Sequence, residues 1–327
     1  MVLKVEVLKA NEVIIGNAPI KVTTCGNVIE TMAMSKVNRK GSAIINLGDY
    51  KYVLPGDIDN DTGEITGEIK EFNRTENRAQ NLNGLAKSMK AVRDLINCNV
   101  LDPSCVRWMT FTYAENMTDT KRLYRDRQTF WQRVTYWHIK KGYPIPEYIA
   151  IVEPQGRGAW HLHELWIYPS KAPYLPNGDI AELWRHGFVT VKKLDDVDNV
   201  GAYITAYLCD VPIEEAHTVG VDPRDYKLKE CEITNEDGTT VKKQYIKGGR
   251  LHLYPNKMNF YRTSRGVKRP SVEWLEREKA KEKVSGCTLT YSKAMRLSDD
   301  VGEFSSDILY EYYNTVGKYF QEKNKKS

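Results

Sequence analysis

The chain has 327 residues, a formal net charge of +5 and an isoelectric point near 8.7. With 41 % hydrophobic and 28 % charged residues it reads as a folded, water-soluble protein of one large domain or two ordinary ones, and no apolar run approaches the roughly 18–20 residues of a membrane span. The basic excess permits a nucleic-acid partner without demanding one. The first residues lack the basic-then-apolar pattern of a secretion leader, and six scattered cysteines without a Cys-x-x-Cys pair fit a reducing, cytoplasmic setting and no zinc knuckle.

Residues 1–36 carry short β-branched runs, such as Val13-Ile14-Ile15, that read as strands. A hairpin is expected over 49–70, where Asp57, Asp59, Asp61 and Glu68 resemble a calcium loop. The glycine falls at the seventh position instead of the sixth, so a solvated acidic turn is the better reading. The spacing of Leu82, Leu85, Met89, Val92 and Ile96 predicts a helix over 76–97, with Lys87, Lys90 and Arg93 on its solvated side. A strand over 106–113 follows, then a helix over 118–140 with Thr118 as N-cap. Strands are expected at 148–153 and 159–168, joined by the turn Gly156-Arg157-Gly158. A short helix at 180–186 stops at Gly187, a strand covers 188–194, and a helix covers 196–209.

Residues 213–270 are basic and aromatic together. Arg250, Arg262 and Arg265, among other cations, alternate with Tyr245, Tyr254, Phe260 and Tyr261, a mixture suited to the phosphates and bases of single-stranded nucleic acid. Lys192 and Lys193 are further candidate DNA contacts. Interspersed strands and helices point to an α+β fold, an antiparallel sheet with helices packed on it. The expected division is a β-rich extension at 1–70, a core at 71–212, the basic extension at 213–270 and a helical tail at 271–327.

The candidate chemistry lies in Ala159-Trp160-His161-Leu162-His163-Glu164-Leu165-Trp166. A strand repeats every two residues, so both imidazoles share a face and Leu162 takes the other. Such a pair is either packed in a core or holds a divalent metal. Glu153 ends the preceding strand eight residues earlier and can reach the same face as a third ligand. Tyr203 and Tyr207 are four apart, so on a helix their phenols share a side. A phenol is about 0.1 % ionised at pH 7. It attacks a phosphodiester more readily when a metal polarises the phosphorus.

The order Phe111-Thr112-Tyr113, Glu153, His-x-His and Tyr-x-x-x-Tyr resembles the HUH endonucleases, the rolling-circle replication initiators of small plasmids and single-stranded DNA phages. Thr112 to Met117 and Arg250-Leu251-His252-Leu253-Tyr254-Pro255 look like the Rep proteins of Gram-positive bacteria. The resemblance implies a five-stranded sheet carrying the histidines and a Mg²⁺ or Mn²⁺ site made by Glu153, His161 and His163. It also implies tyrosine nucleophiles at Tyr203 and Tyr207, and origin DNA, a host helicase and a DNA polymerase as partners in a bacterial or phage-infected cell. At Ala206 the chain departs from the two-tyrosine pattern, which commonly has lysine before the second tyrosine. A conjugative relaxase or single-strand transposase with the same chemistry, or a non-enzymatic single-strand binder, are the alternative readings.

Overall fold

Segments from both ends of the chain share one sheet. In the computed structural model its order is Lys4–Leu8, Thr288–Ser298, Ser305–Asn314, Val28–Met34, Ile20–Cys25 and Ser271–Leu275. The described residues are 4–13, 15–36, 45–48, 51–53, 58–59, 62–71, 82–194, 200–205, 208–234, 240–255, 258–259, 261–298 and 305–315. By backbone contacts the chain forms two units, residues 1–24, 28–76 and 271–327 in the first, 25–27 and 77–270 in the second.

The helical tail expected over 271–327 is corrected. Its described residues supply three strands of that sheet and one short helix, Arg277–Val284. These strands pair with segments more than 200 residues away, as Ser271–Leu275 does with Ile20–Cys25. Such long-range partners, more than local propensity, decide strand formation. In the 49–70 region Lys51–Val53 pairs with Ile45–Gly48 and Lys70–Glu71. Asp57 and Asp61 lie outside the described residues.

The second unit contains, in chain order, α1 (Leu82–Asn99), β1 (Val106–Phe111), α2 (Thr120–Lys141), β2 (Glu147–Pro154) and β3 (Trp160–Ile167). It continues with α3 (Asn177–Trp184), β4 (Val189–Lys192), α4 (Val200–Thr205), β5 (Val211–Pro212), β6 (Leu228–Thr234), β7 (Thr240–Ile246) and β8 (Tyr261–Thr263). Antiparallel pairing builds a five-stranded sheet in the order β4-β1-β3-β2-β8, with β3 at its centre. A second sheet has the order β5-β7-β6. The chain is thus a mixture of helices and antiparallel sheets. Among the described residues no helix is long and apolar enough to cross a membrane.

Helix α2 begins one residue later than the Thr118 cap predicts. Asp119 is the N-cap, and its carboxylate accepts from the N–H groups of Lys121 and Arg122 at 2.8 and 3.2 Å. A carboxylate also complements the positive end of the helix dipole. Gly142, with φ 68, closes the helix in the left-handed conformation that glycine adopts without strain.

One face of the five-stranded sheet meets helices α2 and α3. Phe111 of β1 packs edge-on to Phe130 of α2, with ring centroids 4.8 Å apart, and lies 5.3 Å from Trp184 of α3. Glu164 faces the same way, fully buried. Its Oε1 accepts from Arg127 Nε at 2.8 Å and its Oε2 from Trp166 Nε1 at 2.7 Å. A buried carboxylate persists only when paired and hydrogen-bonded. Alternation therefore sends His161 and His163 to the other face. There Ile149, Ile151 and Leu165 join a core that includes Val92, Leu95 and Ile96 of α1 and Val200 and Ile204 of α4. Helices α1 and α4 approach closely at Gly201, where a Cβ would stand 2.3 Å from Asn97 Oδ1 and 2.9 Å from the Arg93 carbonyl oxygen.

Candidate functional site

Register builds the site. Across the β2–β3 ladder Glu153 stands opposite His161 and Ile151 opposite His163. Across the β1–β3 ladder Thr110 stands opposite His163. Directly paired residues share a sheet face, so Glu153, His161, His163 and Thr110 project together. The hairpin between β2 and β3 is tight, with Gly158 at φ 85 and Gln155 N–H donating to the Ala159 carbonyl at 2.7 Å.

His163 is held from three directions. Its Nε2 is 3.2 Å from Glu153 Oε2, and its Nδ1 is 3.0 Å from Thr110 Oγ1. Trp108 lies parallel to the ring, with centroids 5.3 Å apart and 2° between planes. His161 stands nearly perpendicular to it at 6.1 Å. Its Nε2 is buried and has no hydrogen-bond partner among the described residues. Burial, reinforced by His163, lowers its pKa from 6.5 to about 4, which keeps the ring neutral at pH 7. A neutral imidazole is the form that binds metal.

Glu153 is almost completely buried. Burial alone would raise its pKa, but the hydrogen bond to His163, the charge of Arg250 and the Cys209 amide together lower it. Its Oε1 accepts from Arg250 Nη1 at 3.0 Å and from the Cys209 N–H at 2.9 Å. Cys209 is a non-glycine residue at φ 66. Such a backbone is kept only where its surroundings over-determine it. Here its N–H is spent on Glu153, its carbonyl accepts from Arg250 N–H at 3.0 Å, and its Sγ donates to Tyr254 Oη at 3.5 Å. Tyr254 Oη in turn donates to the Val152 carbonyl at 2.7 Å.

The structure thus brings Glu153, His161 and His163 to one face. Tyr203 lies on α4, and its side chain is outside the described residues, as is the whole of Tyr207. The helix expected over 196–209 is described only as Val200–Thr205, and Leu208 and Cys209 form a turn. That turn, two residues after Tyr207, is bonded directly to Glu153. Of the expected DNA contacts, Lys192, Lys193, Arg262 and Arg265 are exposed. Arg262 pairs with Ala150, which puts it on the face away from the histidines, where its guanidinium stacks 3.9 Å above the Tyr124 ring. Arg250 differs from expectation: it is mostly buried against Glu153, with Glu215 at 3.7 Å on its outer side.

Three further participants were not expected: Thr110, Trp108 and Cys209. Thr110 and Trp108 sit two apart on a recognisable strand, yet only the register shows that they meet His163. No sequence signal singles out Cys209.

The donor types suit a hard divalent cation, and His161 Nε2 is an orphaned buried atom of the kind a metal would satisfy. The 3.2 Å between Glu153 Oε2 and His163 Nε2 is also close to the ~3 Å between adjacent donors around an octahedral ion with bonds of ~2.1 Å. As the side chains stand, no group of three His, Cys, Asp or Glu residues among the described residues is arranged to hold a metal ion. Glu153 is instead engaged by His163, Arg250 and the Cys209 amide.

None of the curated proteins matches the chain. Residues 106–211 run from the start of β1 to the start of β5 and include Glu153, both histidines and both tyrosines. They match a family model for replication-associated proteins of the ORF2 type, a likeness consistent with a replication initiator.

Proposed function

We propose that the chain is a rolling-circle replication initiator of the HUH type, from a plasmid or phage of Gram-positive bacteria, that nicks and rejoins one DNA strand at an origin in the cytoplasm. The observation that carries this reading is the convergence of Glu153, His161 and His163 on one sheet face, with the buried His161 Nε2 unpartnered among the described residues, inside the segment that resembles a replication-associated family. Glu153, His161 and His163 would hold Mg²⁺ or Mn²⁺. When bound, the ion supplies a Lewis acid that polarises the scissile phosphate.

The protein's own groups do the rest. Thr110 and Trp108 fix the His163 ring. Arg250 and the Cys209 amide keep Glu153 ionised. The phenol of Tyr203 or Tyr207 attacks phosphorus, and the P–O3′ bond breaks. The phenolic proton leaves and the 3′ oxygen gains one, giving a 5′-phosphotyrosine and a free 3′-OH that primes synthesis. The second tyrosine can repeat the transfer to release a circle. No ATP is consumed, and the chain contains no Gly-x-x-x-x-Gly-Lys-Ser/Thr loop, so unwinding falls to a separate helicase and extension to a host polymerase.

The test is to incubate the protein with Mn²⁺ and single-stranded DNA from its replicon's origin. A covalent protein–DNA adduct is expected. Changing both Tyr203→Phe and Tyr207→Phe should remove it, and His161→Ala should abolish nicking. Adduct surviving the double change would reject the nucleophiles, and unaltered nicking by His161→Ala would reject the metal site.

A further inference from the structure

We infer that Phe188, at the edge of the five-stranded sheet, is a base-stacking subsite for single-stranded DNA that leads into the histidine face. This rests on the reading of that face as a DNA-cleavage site.

Phe188 is 80 % exposed, the most exposed large hydrophobic residue among the described residues. It directly precedes β4, the edge strand paired with β1. In that pairing Val189 stands opposite Phe111, Thr190 opposite Thr110 and Lys192 opposite Trp108. Thr110 and Trp108 are the two residues that hold His163. Thr190, Thr110 and His163 therefore form one rung across three strands, with their side chains on one face. Val189, buried opposite Phe111, belongs to the helix-packed face. Alternation then sends Phe188, Thr190 and Lys192 to the histidine face, all three exposed.

The ring is presented on a held backbone. Thr112 N–H donates to the Phe188 carbonyl at 2.9 Å, and Phe188 N–H donates to Thr112 Oγ1 at 3.1 Å. Further along the strand Val191 N–H donates to Asn177 Oδ1 at 3.0 Å. An exposed aromatic on an ordered strand has surrendered its backbone freedom before any ligand arrives, which favours stacking. Its row lies two strand spacings, ~10 Å, from the histidines. Lys192 in the same row and the adjacent exposed Lys193 supply cations for a phosphate backbone. A π-face beside cations, continuous with the candidate cleavage centre, matches the chemistry of a single strand, whose bases stack on rings while its phosphates meet ammonium groups.

The experiment measures binding by fluorescence anisotropy in EDTA, so no nicking is required. The probes are a labelled 15-mer of deoxythymidine and a labelled abasic oligomer of equal length. Phe188→Ala is expected to weaken binding of the thymidine strand roughly 5- to 150-fold while leaving the abasic strand nearly unaffected. Phe188→Trp should restore it. Changing Lys192→Gln and Lys193→Gln should weaken both strands and flatten the salt dependence. Because the ring is exposed, Phe188→Ala should keep the wild-type melting temperature. Unchanged thymidine affinity, or an equal loss on the abasic strand, would overturn the subsite while leaving the nicking reading intact. Loss of self-association in sedimentation with unchanged DNA affinity would assign the ring to a second copy of the chain and also overturn it. A wild-type protein that nicks origin DNA yet shows no preference for the thymidine strand over the abasic one would overturn the subsite alone. A protein that binds neither strand would overturn both readings.

Discussion

Arg250→Met tests whether the site's charge balance is understood. Arg250 is 19 % exposed and Glu153 9 %, and Nη1 donates to Oε1 at 3.0 Å. Removing one partner of a buried pair costs about 3–5 kcal/mol because the other charge is stranded. Glu153 keeps its contacts with His163 and the Cys209 N–H, so about 2–3 kcal/mol is expected, with methionine preserving the packing of the stem. The assay is urea unfolding in EDTA followed by tryptophan fluorescence. Six of the seven tryptophans lie between Trp108 and Trp184 in the second unit, so the signal reports the unit that holds the pair. With an m-value of about 2 kcal/mol/M, the midpoint should fall by roughly 1 M. A double-mutant cycle with Glu153→Gln should show coupling above about 1 kcal/mol. If metal binds beside Glu153, saturating Mn²⁺ should stabilise Arg250→Met more than wild type, since the ion replaces the lost positive charge. A loss under about 0.5 kcal/mol together with an additive cycle would refute the reasoning.

Other outcomes follow from single contacts. Thr110→Val removes the partner of His163 Nδ1 without changing side-chain shape; Mn²⁺ affinity measured by titration calorimetry should drop about 10- to 100-fold, and unchanged affinity would exclude a supporting role. Gly201→Ala places a methyl 2.9 Å from the Arg93 carbonyl oxygen; it should cost about 1–3 kcal/mol by the same urea assay and slow adduct formation as α4 is pushed off α1, whereas wild-type stability would mean that the helices do not meet there. His161 titrates at about 4 in the folded protein against 6.5 for the free side chain. The unfolded chain therefore takes up the proton first, and this contribution, whole above pH 6.5, is lost as pH falls toward 4. Wild type should lose on the order of 3 kcal/mol more than His161→Phe between those pH values, and parallel pH profiles would contradict the buried, neutral imidazole.

Local geometry explains how much of this was legible beforehand. Period-two alternation put His161 and His163 on one face and Leu162 on the other, as β3 shows. Apolar spacing located α1 and α2, with errors only near their ends. The charge pattern led elsewhere. Arg250 reads as one cation of a basic, aromatic stretch, yet it is the partner of a carboxylate 97 positions earlier. Nothing local distinguishes a cation that meets solvent from one that folds back onto a buried acid.

The sequence by itself determined which side chains share a face of a strand, which stretches are helical, and that two imidazoles and a carboxylate are available in neighbouring strands. Backbone geometry sets those features within a few residues, so they are written locally. Only the tertiary structure decided that Thr110 and Trp108 hold His163, that the Cys209 amide and Arg250 hold Glu153, and that residues 271–315 are mainly strands paired with the chain's beginning. Each depends on register or on contacts between distant segments. A one-residue slip would turn every side chain of a strand to the other face, and long-range pairing becomes favourable only when the whole sheet forms.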